Sequence, residues 1–254
     1  MLEVNDLTTK IIAHRGASKL APENTMYAFE LGYKFGAEGI ETDVQLTKDN
    51  IPVLIHDETV KRTTNGNGYV KDYTFDELSK LDAGSWFSPE FHNARIISLE
   101  EFLIWIKPKE LYINIELKNN KIDYKNLESI VYDMLKNHRL LERTTLSTFN
   151  PNSVRRLLKY QNNIEVAFLT SKKKPNLVEY AKNLGANALH VKYRLVNPQL
   201  IEQARDNNMP VRVYTVNNYK PMMHCFNQDC DGIFTDVPYK ALTFRKLFQF
   251  KKQL

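Results

Sequence analysis

The segment from Gly39 to Asp57 reads GIETDVQLTKDNIPVLIHD, and its pattern decides how the rest of the chain is organised. The runs Gly39–Leu46 and Pro52–Ile55 are rich in β-branched and apolar residues, as β-strands are. Only residues 47–51 separate them, whereas a crossover between parallel strands needs about a dozen residues or more. The two runs are therefore predicted to form an antiparallel hairpin.

The turn of this hairpin determines which side chains face each other. A two-residue turn at Asp49 and Asn50 suits a tight hairpin, because both residue types tolerate positive φ. Counting outward from that turn places Asp43 opposite His56, and directly opposed residues share a face of the sheet. We therefore expect His56 to lie beside Asp43 and Glu41, an arrangement that a bulge or a one-residue slip in register would undo.

The remaining chain alternates short β-rich runs with longer amphipathic stretches, a pattern that favours a parallel sheet. The runs outside the hairpin are Ile11–Ala13, Leu111–Leu117, Thr144–Ser147, Glu165–Leu169, Ala188–Val191, Val211–Val216 and Gly232–Thr235. The helical patterns include Met26–Phe35, Leu127–Leu135, Val154–Tyr160, Leu177–Leu184, Pro198–Asn207 and Pro221–Phe226. With the first hairpin strand, the runs supply eight parallel strands, and about 250 residues is typical of a (β/α)₈ barrel. We predict an α/β fold of the TIM-barrel type.

One part of the chain departs from this rhythm. Residues 57 to about 97 contain the turn-rich stretch Thr63–Gly68 and one short helical pattern, Thr74–Leu81. We predict a small insertion here, directly after the hairpin. Regular structure resumes at Ser98, because a serine followed by acidic residues is a typical helix start. Residues 1–254 are then expected to form a single domain with this insertion.

Composition narrows the function classes. The chain has 254 residues, of which 43% are hydrophobic and 26% charged, and this excludes a disordered protein. Its apolar stretches are far shorter than the ~20 residues of a membrane-spanning helix. The net charge of +5 suits an anionic substrate and equally suits nucleic acid. Two cysteines and the absence of a signal-like segment in Met1–Lys10 lead us to expect a cytoplasmic protein.

Acidic residues stand at two of the predicted strands. Glu41 and Asp43 are two positions apart in the first hairpin strand, so both side chains point to one face. Glu116 ends another apolar strand. Like charges on an inner face are costly unless a cation lies between them, and Ca²⁺ and Mg²⁺ prefer oxygen ligands. These three carboxylates are a candidate divalent metal site; surface carboxylates and a salt bridge between strand ends are the structural alternatives.

Basic residues also follow predicted strands. His14 and Arg15 come directly after the first strand, and His56 follows the hairpin, at the strand ends where barrel active sites lie. Arg15 and Lys118 suit contacts to phosphate, and the two histidines suit proton transfer near neutral pH. His190, within a strand run, is a weaker candidate. Alone, each residue has a structural alternative; their joint placement favours a phosphoryl-transfer site.

A series of short motifs runs through the chain in a fixed order. It comprises His14-Arg15-Gly16, Pro22-Glu23-Asn24-Thr25, Glu41-Thr42-Asp43-Val44, His56-Asp57, Arg62-Thr63-Thr64-Asn65-Gly66, Leu81-Asp82-Ala83-Gly84-Ser85-Trp86-Phe87, Glu116-Leu117-Lys118, Thr215-Val216-Asn217 and Asp231-Gly232-Ile233-Phe234-Thr235-Asp236-Val237-Pro238. In this order they resemble the glycerophosphodiester phosphodiesterase family over about residues 10 to 240. The resemblance implies a TIM barrel that hydrolyses a glycerophosphodiester to glycerol 3-phosphate and an alcohol.

The resemblance also implies roles for individual residues. His14 and His56 correspond to the acid–base pair. Many relatives have Trp where Tyr214 stands, so we expect the substrate pocket to differ at its glycerol end. A divalent cation, Ca²⁺ or Mg²⁺, is implied as cofactor. The implied metal ligands are Glu41, Asp43 and Glu116, and the implied phosphate contacts are Arg15 and Lys118. The family mechanism is usually described with attack by a neighbouring glycerol hydroxyl and a cyclic phosphate intermediate.

Two alternatives remain open at this point. The same scaffold in a lysophospholipase D would act on an acylated substrate, and the basic, aromatic tail Phe244–Lys252 would then touch lipid, unless it is simply the last barrel helix. A non-catalytic protein that binds a phosphate-containing ligand is the other alternative. We expect a small-molecule glycerophosphodiester as partner, no nucleic acid and no stable membrane insertion; a homodimer is left open.

Overall fold

A closed barrel of parallel strands is seen in the computed structural model, which describes residues 9–252. Within that range the parallel strands are β1 (Lys10–His14), β2 (Gly39–Leu46), β4 (Tyr112–Leu117), β5 (Thr144–Thr148), β6 (Glu165–Thr170), β7 (Ala188–Lys192), β8 (Val211–Tyr214) and β9 (Gly232–Thr235), whereas β3 (Pro52–Leu54) pairs antiparallel with β2. The neighbours run β1, β9, β8, β7, β6, β5, β4, β2, and pairing of β2 with β1 closes the ring. The predicted (β/α)₈ TIM barrel is confirmed.

Helices separate the strands. Between residues 9 and 252 they are α1 (Met26–Lys34), α2 (Phe75–Ser79), α3 (Leu99–Ile106), α4 (Leu127–His138), α5 (Pro151–Leu157), α6 (Leu177–Leu184), α7 (Pro198–Asp206), α8 (Tyr219–Asn227) and α9 (Pro238–Lys252). Helices α1, α2, α3, α5 and α7 begin at residues whose side chains cap the N-terminus. Ser98 forms a capping box with Glu101, as its sequence predicts. Helix α5 begins earlier than its apolar pattern predicts, because Asn150 caps the N-terminus and Pro151 occupies the first turn.

The hairpin has a different register from the one predicted. Val44 pairs with Leu54, and this places Asp43 opposite Ile55. The Ile55 backbone N–H donates to the Asp43 carbonyl oxygen at 3.0 Å. The prediction that Asp43 directly faces His56 is therefore wrong by one residue.

The length of the turn explains why the hairpin register differs by one residue from the prediction. It contains three residues, Lys48–Asn50, because the Thr47 side chain takes part in the pairing: the backbone N–H of Ile51 donates to Thr47 Oγ1 at 2.9 Å. Asn50 adopts the left-handed conformation, with φ of 60°, as expected at the last position of a three-residue loop. His56 therefore lies beyond the paired residues, in a segment with its own contacts.

The insertion predicted after the hairpin packs against the second hairpin strand around a small apolar cluster. That cluster comprises Val53, Ile55, Val60, Val70, Leu78, Ala83 and Ile96. Helix α2 lies within the predicted Thr74–Leu81 pattern and begins with a capping box between Thr74 and Glu77. The insertion contacts the hairpin through the Lys48 backbone N–H, which donates to the Tyr73 carbonyl at 2.8 Å.

The base of the barrel, at the amino ends of the strands, is filled by polar side chains. Arg212 donates to Glu165 at 2.6 Å and lies 4.7 Å from the ring centroid of Tyr112. Because β8 and β4 stand on opposite sides of the ring, this contact crosses the interior. The Tyr112 hydroxyl donates to Thr145 at 2.6 Å. Gly39, the register partner of Tyr112, leaves room for this side chain.

The C-terminal segment forms helix α9. Phe244 and Phe248 are partly buried against the core and contact Tyr219 and Phe226, while Phe250 is 61% exposed. No helix within residues 9–252 has the length and apolar character needed to cross a membrane. The expectation about the N-terminal segment falls mostly on residues 1–8, outside the described residues.

We predict that Gly39→Ala lowers the free energy of unfolding by about 1–3 kcal/mol, because the new methyl group would overpack the barrel base. An ideal Cβ at Gly39 would lie 2.8 Å from the Tyr112 backbone oxygen, which cannot move aside alone. Gly232→Ala is the control: its Cβ would meet the Ile12 side-chain end at 3.2 Å. Urea unfolding should separate the two variants; equal stability would contradict the close approach.

Candidate active site

A cavity of about 370 Å³ opens at the carboxyl ends of the barrel strands. The predicted site residues that line it are His14, Arg15, Glu41, His56, Glu116 and Tyr214. The other two lie directly behind: Lys118 Nζ is 2.7 Å from a Glu116 oxygen and 3.7 Å from an Asp43 oxygen. The structure thus brings all eight candidates together. A larger depression of about 890 Å³ lies at the barrel base and contacts none of them.

Three carboxylates form one wall of this cavity. Oxygen atoms of Glu41, Asp43 and Glu116 lie within 4.8 Å of one another, because β2 and β4 pair with Asp43 beside Glu116. Burial and the neighbouring Asp43 charge raise the pKa of Glu41 well above its usual range. Asp43 Oδ1 is buried without a hydrogen-bond partner. An unpartnered oxygen within a set of crowded carboxylates fits a hard divalent cation.

Two basic residues border the carboxylates. Arg15 Nε lies 3.1 Å from Asp43, and its Nη1 donates to Glu23 at 2.9 Å. Although burial opposes the charge, the Arg15 and Lys118 cations hold the pKa of Asp43 well below its usual range. Arg15 has a positive φ of 56°, and its backbone N–H donates to the Glu41 carboxylate at 2.8 Å. The same residue therefore orients one carboxylate and balances another.

His14 is held by a carboxylate from the far end of the chain. Its Nδ1 lies 2.7 Å from Asp236 Oδ1, and its Nε2 lies 4.0 Å from Glu41. Asn217 and Ser18 also donate to Asp236, at 2.6 and 3.2 Å. Burial opposes ionisation, yet these hydrogen bonds and the His14 ring hold the pKa of Asp236 at about 2. An ionised Asp236 favours the tautomer with the proton on Nδ1, which leaves Nε2 free towards the cavity.

His56 has a similar partner, from the next residue. Its Nδ1 lies 2.6 Å from Asp57 Oδ1. Arg62 donates to Asp57 at 2.6 Å and to Glu23 at 2.7 Å. Burial would raise the pKa of Asp57, but the hydrogen bonds from Arg62 and His56 outweigh it and hold this pKa at about 2. The Arg62–Glu23–Arg15 contacts connect the insertion to the phosphate-binding candidates.

The buried side-chain amide of Gln45 holds the segment that carries His56. Gln45 Nε2 lies 3.1, 3.2 and 2.6 Å from the carbonyl oxygens of Ile55, His56 and Asp57. Its Oε1 accepts from the Tyr124 hydroxyl at 3.0 Å. Gln45 thus keeps His56 at the cavity although the hairpin register does not pair it with Asp43.

Several residues at the site are not predicted as site residues from the sequence. Asp57 and Asp236 occur within the quoted motifs, each just after a strand or hairpin, and position alone is the available signal. Asn114, which the sequence does not select, and His190, the weaker candidate from the sequence, also line the cavity, and Asn114 Oδ1 and His190 Nδ1 are buried without hydrogen-bond partners. Burial and the nearby Arg212 hold the pKa of His190 well below its usual range, so its ring is neutral.

Comparison with known proteins is decisive for the family. Residues 14–240 match the sequence profile of the glycerophosphoryl diester phosphodiesterase family. The chain belongs to this family. A glycerophosphodiester phosphodiesterase of Caldanaerobacter subterraneus subsp. tengcongensis is 40% identical over 235 residues, which are 91% of this chain and 96% of the relative. One from Bacillus altitudinis is 38% identical, over 94% of this chain and 98% of the relative.

Solved structures of family members are also similar. A phosphodiesterase of Oleispira antarctica in complex with the product sn-glycerol-3-phosphate has a TM-score of 0.85 and 28% identity, covering 96% of this chain and 99% of that one. A glycerophosphodiester phosphodiesterase of Agrobacterium tumefaciens has a TM-score of 0.79 and 28% identity, covering 92% and 99%. The chain is thus an enzyme of this family, a phosphodiesterase.

We expect saturating Ca²⁺ or Mg²⁺ to raise the melting temperature by about 5–10 °C, because an ion bound between the three carboxylates stabilises only the folded chain. Glu116→Gln removes one charged ligand and should abolish most of this shift. Glu100→Gln, at an exposed carboxylate on α3, is the matched control and should keep it. Differential scanning fluorimetry measures all three; an undiminished shift in Glu116→Gln would place the ion elsewhere.

Proposed function

We propose that this enzyme hydrolyses glycerophosphodiesters to glycerol 3-phosphate and an alcohol, with His14 and His56 as the acid–base pair. The observation that carries this proposal is the arrangement of two histidine–aspartate pairs beside one buried carboxylate cluster. Family membership and the product held by the Oleispira antarctica relative support the substrate class. Breaking the bond between phosphorus and the alcohol oxygen requires one proton to be removed and one to be supplied.

The two histidines suit these proton transfers. Each ring has its Nδ1 against an ionised aspartate, so each presents Nε2 to the cavity. One Nε2 accepts a proton from the attacking hydroxyl, and the other donates a proton to the leaving alcohol oxygen. The partner aspartates hold the rings in position and stabilise the imidazolium form when it arises.

Positive charge at the same place serves the phosphate. Arg15 lines the cavity, and Lys118 lies directly behind it against Glu116 and Asp43. The Arg15 guanidinium and the Lys118 ammonium groups suit phosphate oxygens. Glu41, Asp43 and Glu116 would hold a divalent cation, Ca²⁺ or Mg²⁺, which when bound supplies further stabilisation of negative charge on the phosphate. A cyclic phosphate intermediate, formed by a neighbouring glycerol hydroxyl, is the route that the family resemblance implies.

A coupled assay of glycerol 3-phosphate release tests the proposal. The chain should release it from glycerophosphoglycerol, glycerophosphoethanolamine or glycerophosphocholine, and a chelator should stop the reaction. His14→Ala and His56→Ala should each lower kcat by about 10²–10⁴-fold, because each removes one proton transfer. His92→Ala, on the exposed surface of the insertion, is the control.

Three results would contradict this proposal. Full activity in either active-site histidine variant would remove the acid–base assignment. Activity that survives chelation would remove the metal. Choline release from lysophosphatidylcholine, without activity on the deacylated substrates, would favour the lysophospholipase D alternative.

We also expect Asp236→Asn to lower kcat by about 10²-fold while KM changes little, because an amide does not hold the His14 tautomer as a carboxylate does. Ser18→Ala is the matched control, since Ser18 also contacts Asp236 but leaves the His14 contact in place. It should retain at least a third of the activity. Equal losses in the two variants would indicate a merely structural role for Asp236.

A further inference from the structure

One residue at the carboxylate cluster is not used by the proposed chemistry. Asn24, from the motif Pro22-Glu23-Asn24-Thr25, is 2% exposed and has a positive φ of 56°, a conformation in which asparagine is enriched. Its backbone N–H donates to the Arg15 carbonyl oxygen at 3.1 Å, and the next residue, Thr25, caps helix α1. Asn24 is therefore fixed on both sides, although it belongs to no helix or strand.

The side-chain amide of Asn24 contacts two residues of β2. Its Nδ2 donates to Asp43 Oδ2 at 2.9 Å, and its Oδ1 accepts from the Thr42 hydroxyl at 2.8 Å. The Asp43 backbone N–H also donates to that Oδ1, at 3.4 Å. Because a backbone N–H can only donate, this contact fixes which end of the amide carries the oxygen. The Nδ2 end therefore faces the Asp43 carboxylate.

This contact determines how the Asp43 carboxylate is turned. The last torsion of an aspartate side chain is broad, so its neighbours must fix it. Within residues 9–252, the hydrogen bond from Asn24 is the only one that this carboxylate accepts. In the same part of the chain, Arg15 Nε lies 3.1 Å from Oδ2 but has no hydrogen-bond partner. With Oδ2 held by Asn24, Oδ1 stays on the side of Lys118, 3.7 Å from its Nζ.

The charges around Asp43 explain why it needs such a donor. Carboxylate oxygens of Glu41 and Glu116 lie within 4.8 Å of one from Asp43 and repel it, whereas a divalent cation needs oxygens of all three together. Arg15 lines the cavity and is the proposed phosphate contact, so it is shared with the substrate. The neutral amide of Asn24 holds Oδ2 whether or not substrate is bound, and it adds no positive charge that would compete with the cation.

We propose that Asn24 is a positioning residue for a divalent cation: its hydrogen bond to Oδ2 presents Oδ1 of Asp43 as a ligand beside Glu41 and Glu116. This inference rests on the proposed function only for the cation, Ca²⁺ or Mg²⁺. Side chains that orient a metal ligand typically contribute about 10- to 100-fold to metal affinity. Asn24 thus acts on the cation through Asp43, while its neighbour Thr25 begins helix α1.

Isothermal titration calorimetry with Ca²⁺ alone, and then with Mg²⁺ alone, tests this inference. Asn24→Gly removes the amide, and glycine adopts the positive φ without strain. This variant should raise the Kd of the ion by about tenfold or more. Asn208→Gly is the matched control, because Asn208 also has a positive φ, of 52°, but is exposed between α7 and β8. Its Kd should equal that of wild type.

A second variant leaves Asn24 in place. Thr42→Val removes the hydroxyl that donates to Asn24 Oδ1 and keeps the shape of the side chain. It should raise the Kd in the same direction by at most about fivefold, the equivalent of one neutral hydrogen bond. If Asn24→Gly does not fold, as judged by circular dichroism, the Kd of Thr42→Val decides, and an unchanged value overturns the inference.

Activity gives a readout that a merely structural role would not produce. At a low Ca²⁺ concentration, Asn24→Gly should release glycerol 3-phosphate more slowly than wild type. Saturating Ca²⁺ should restore most of the wild-type rate, because the substitution lowers the affinity for the ion and leaves His14 and His56 in place. A rate that stays low at saturation would overturn the inference.

The outcomes separate this inference from the proposed function. An unchanged Kd in Asn24→Gly, or an equal rise in Asn24→Gly and Asn208→Gly, would overturn the inference and leave the proposed function standing. A wild type that binds Ca²⁺ or Mg²⁺ but releases no glycerol 3-phosphate would defeat the proposed function alone. A wild type that binds neither ion would remove the metal site, and the inference with it.

Discussion

Confining three carboxylates within 4.8 Å of one another is the constraint on which the rest of the site depends. Glu41 and Asp43 are buried, so water cannot screen their repulsion. The chain responds with positive charge from two directions: Arg15 from the end of β1 and Lys118 from the end of β4. With both cations in place, Asp43 Oδ1 still accepts no hydrogen bond, so the three carboxylates could also hold a divalent cation.

The same balance of charge extends outward. Arg15 also pairs with Glu23, Glu23 pairs with Arg62, and Arg62 pairs with Asp57, the partner of His56. Charge alternates at every step. Because Arg62 belongs to the insertion, the insertion is electrostatically coupled to the barrel centre although its apolar cluster is separate. A change of charge at the carboxylates should therefore alter the electrostatic environment of His56. The effect passes through these fixed ion pairs and needs no movement of the chain.

The fold follows from the sequence wherever local rules act alone. Parallel strands appear as apolar runs, and the caps at Ser98 and Thr74 are visible as residue types. The hairpin register does not follow from such local rules, because it depends on the Thr47 side chain, which takes part in the pairing. No local pattern distinguishes that turn from a two-residue one. His56 still reaches the cavity, since Gln45 holds the following segment.

The site also combines features that the sequence predicts with features that only the folded chain shows. Residue types and strand ends select seven of the candidates, the family resemblance adds Tyr214, and the structure brings all eight together. The partnership of His14 with Asp236 joins residues 222 positions apart, so only the closed ring reveals it. The sequence also does not show that Asp43 Oδ1 lacks a hydrogen-bond partner, because that depends on every side chain placed around it. Unpaired groups become visible only when every neighbour has been placed.

The polar base of the barrel determines how substrate enters the cavity and how products leave it. Tyr112, Arg212 and Glu165 meet across the interior, and Arg212 is only 7% exposed. Between residues 9 and 252, this contact separates the depression at the base from the cavity above. Substrate and products then share one entrance. Under the proposed function, glycerol 3-phosphate keeps the negative charge that Arg15 and Lys118 balance, so we expect this product to leave last and to compete with incoming substrate.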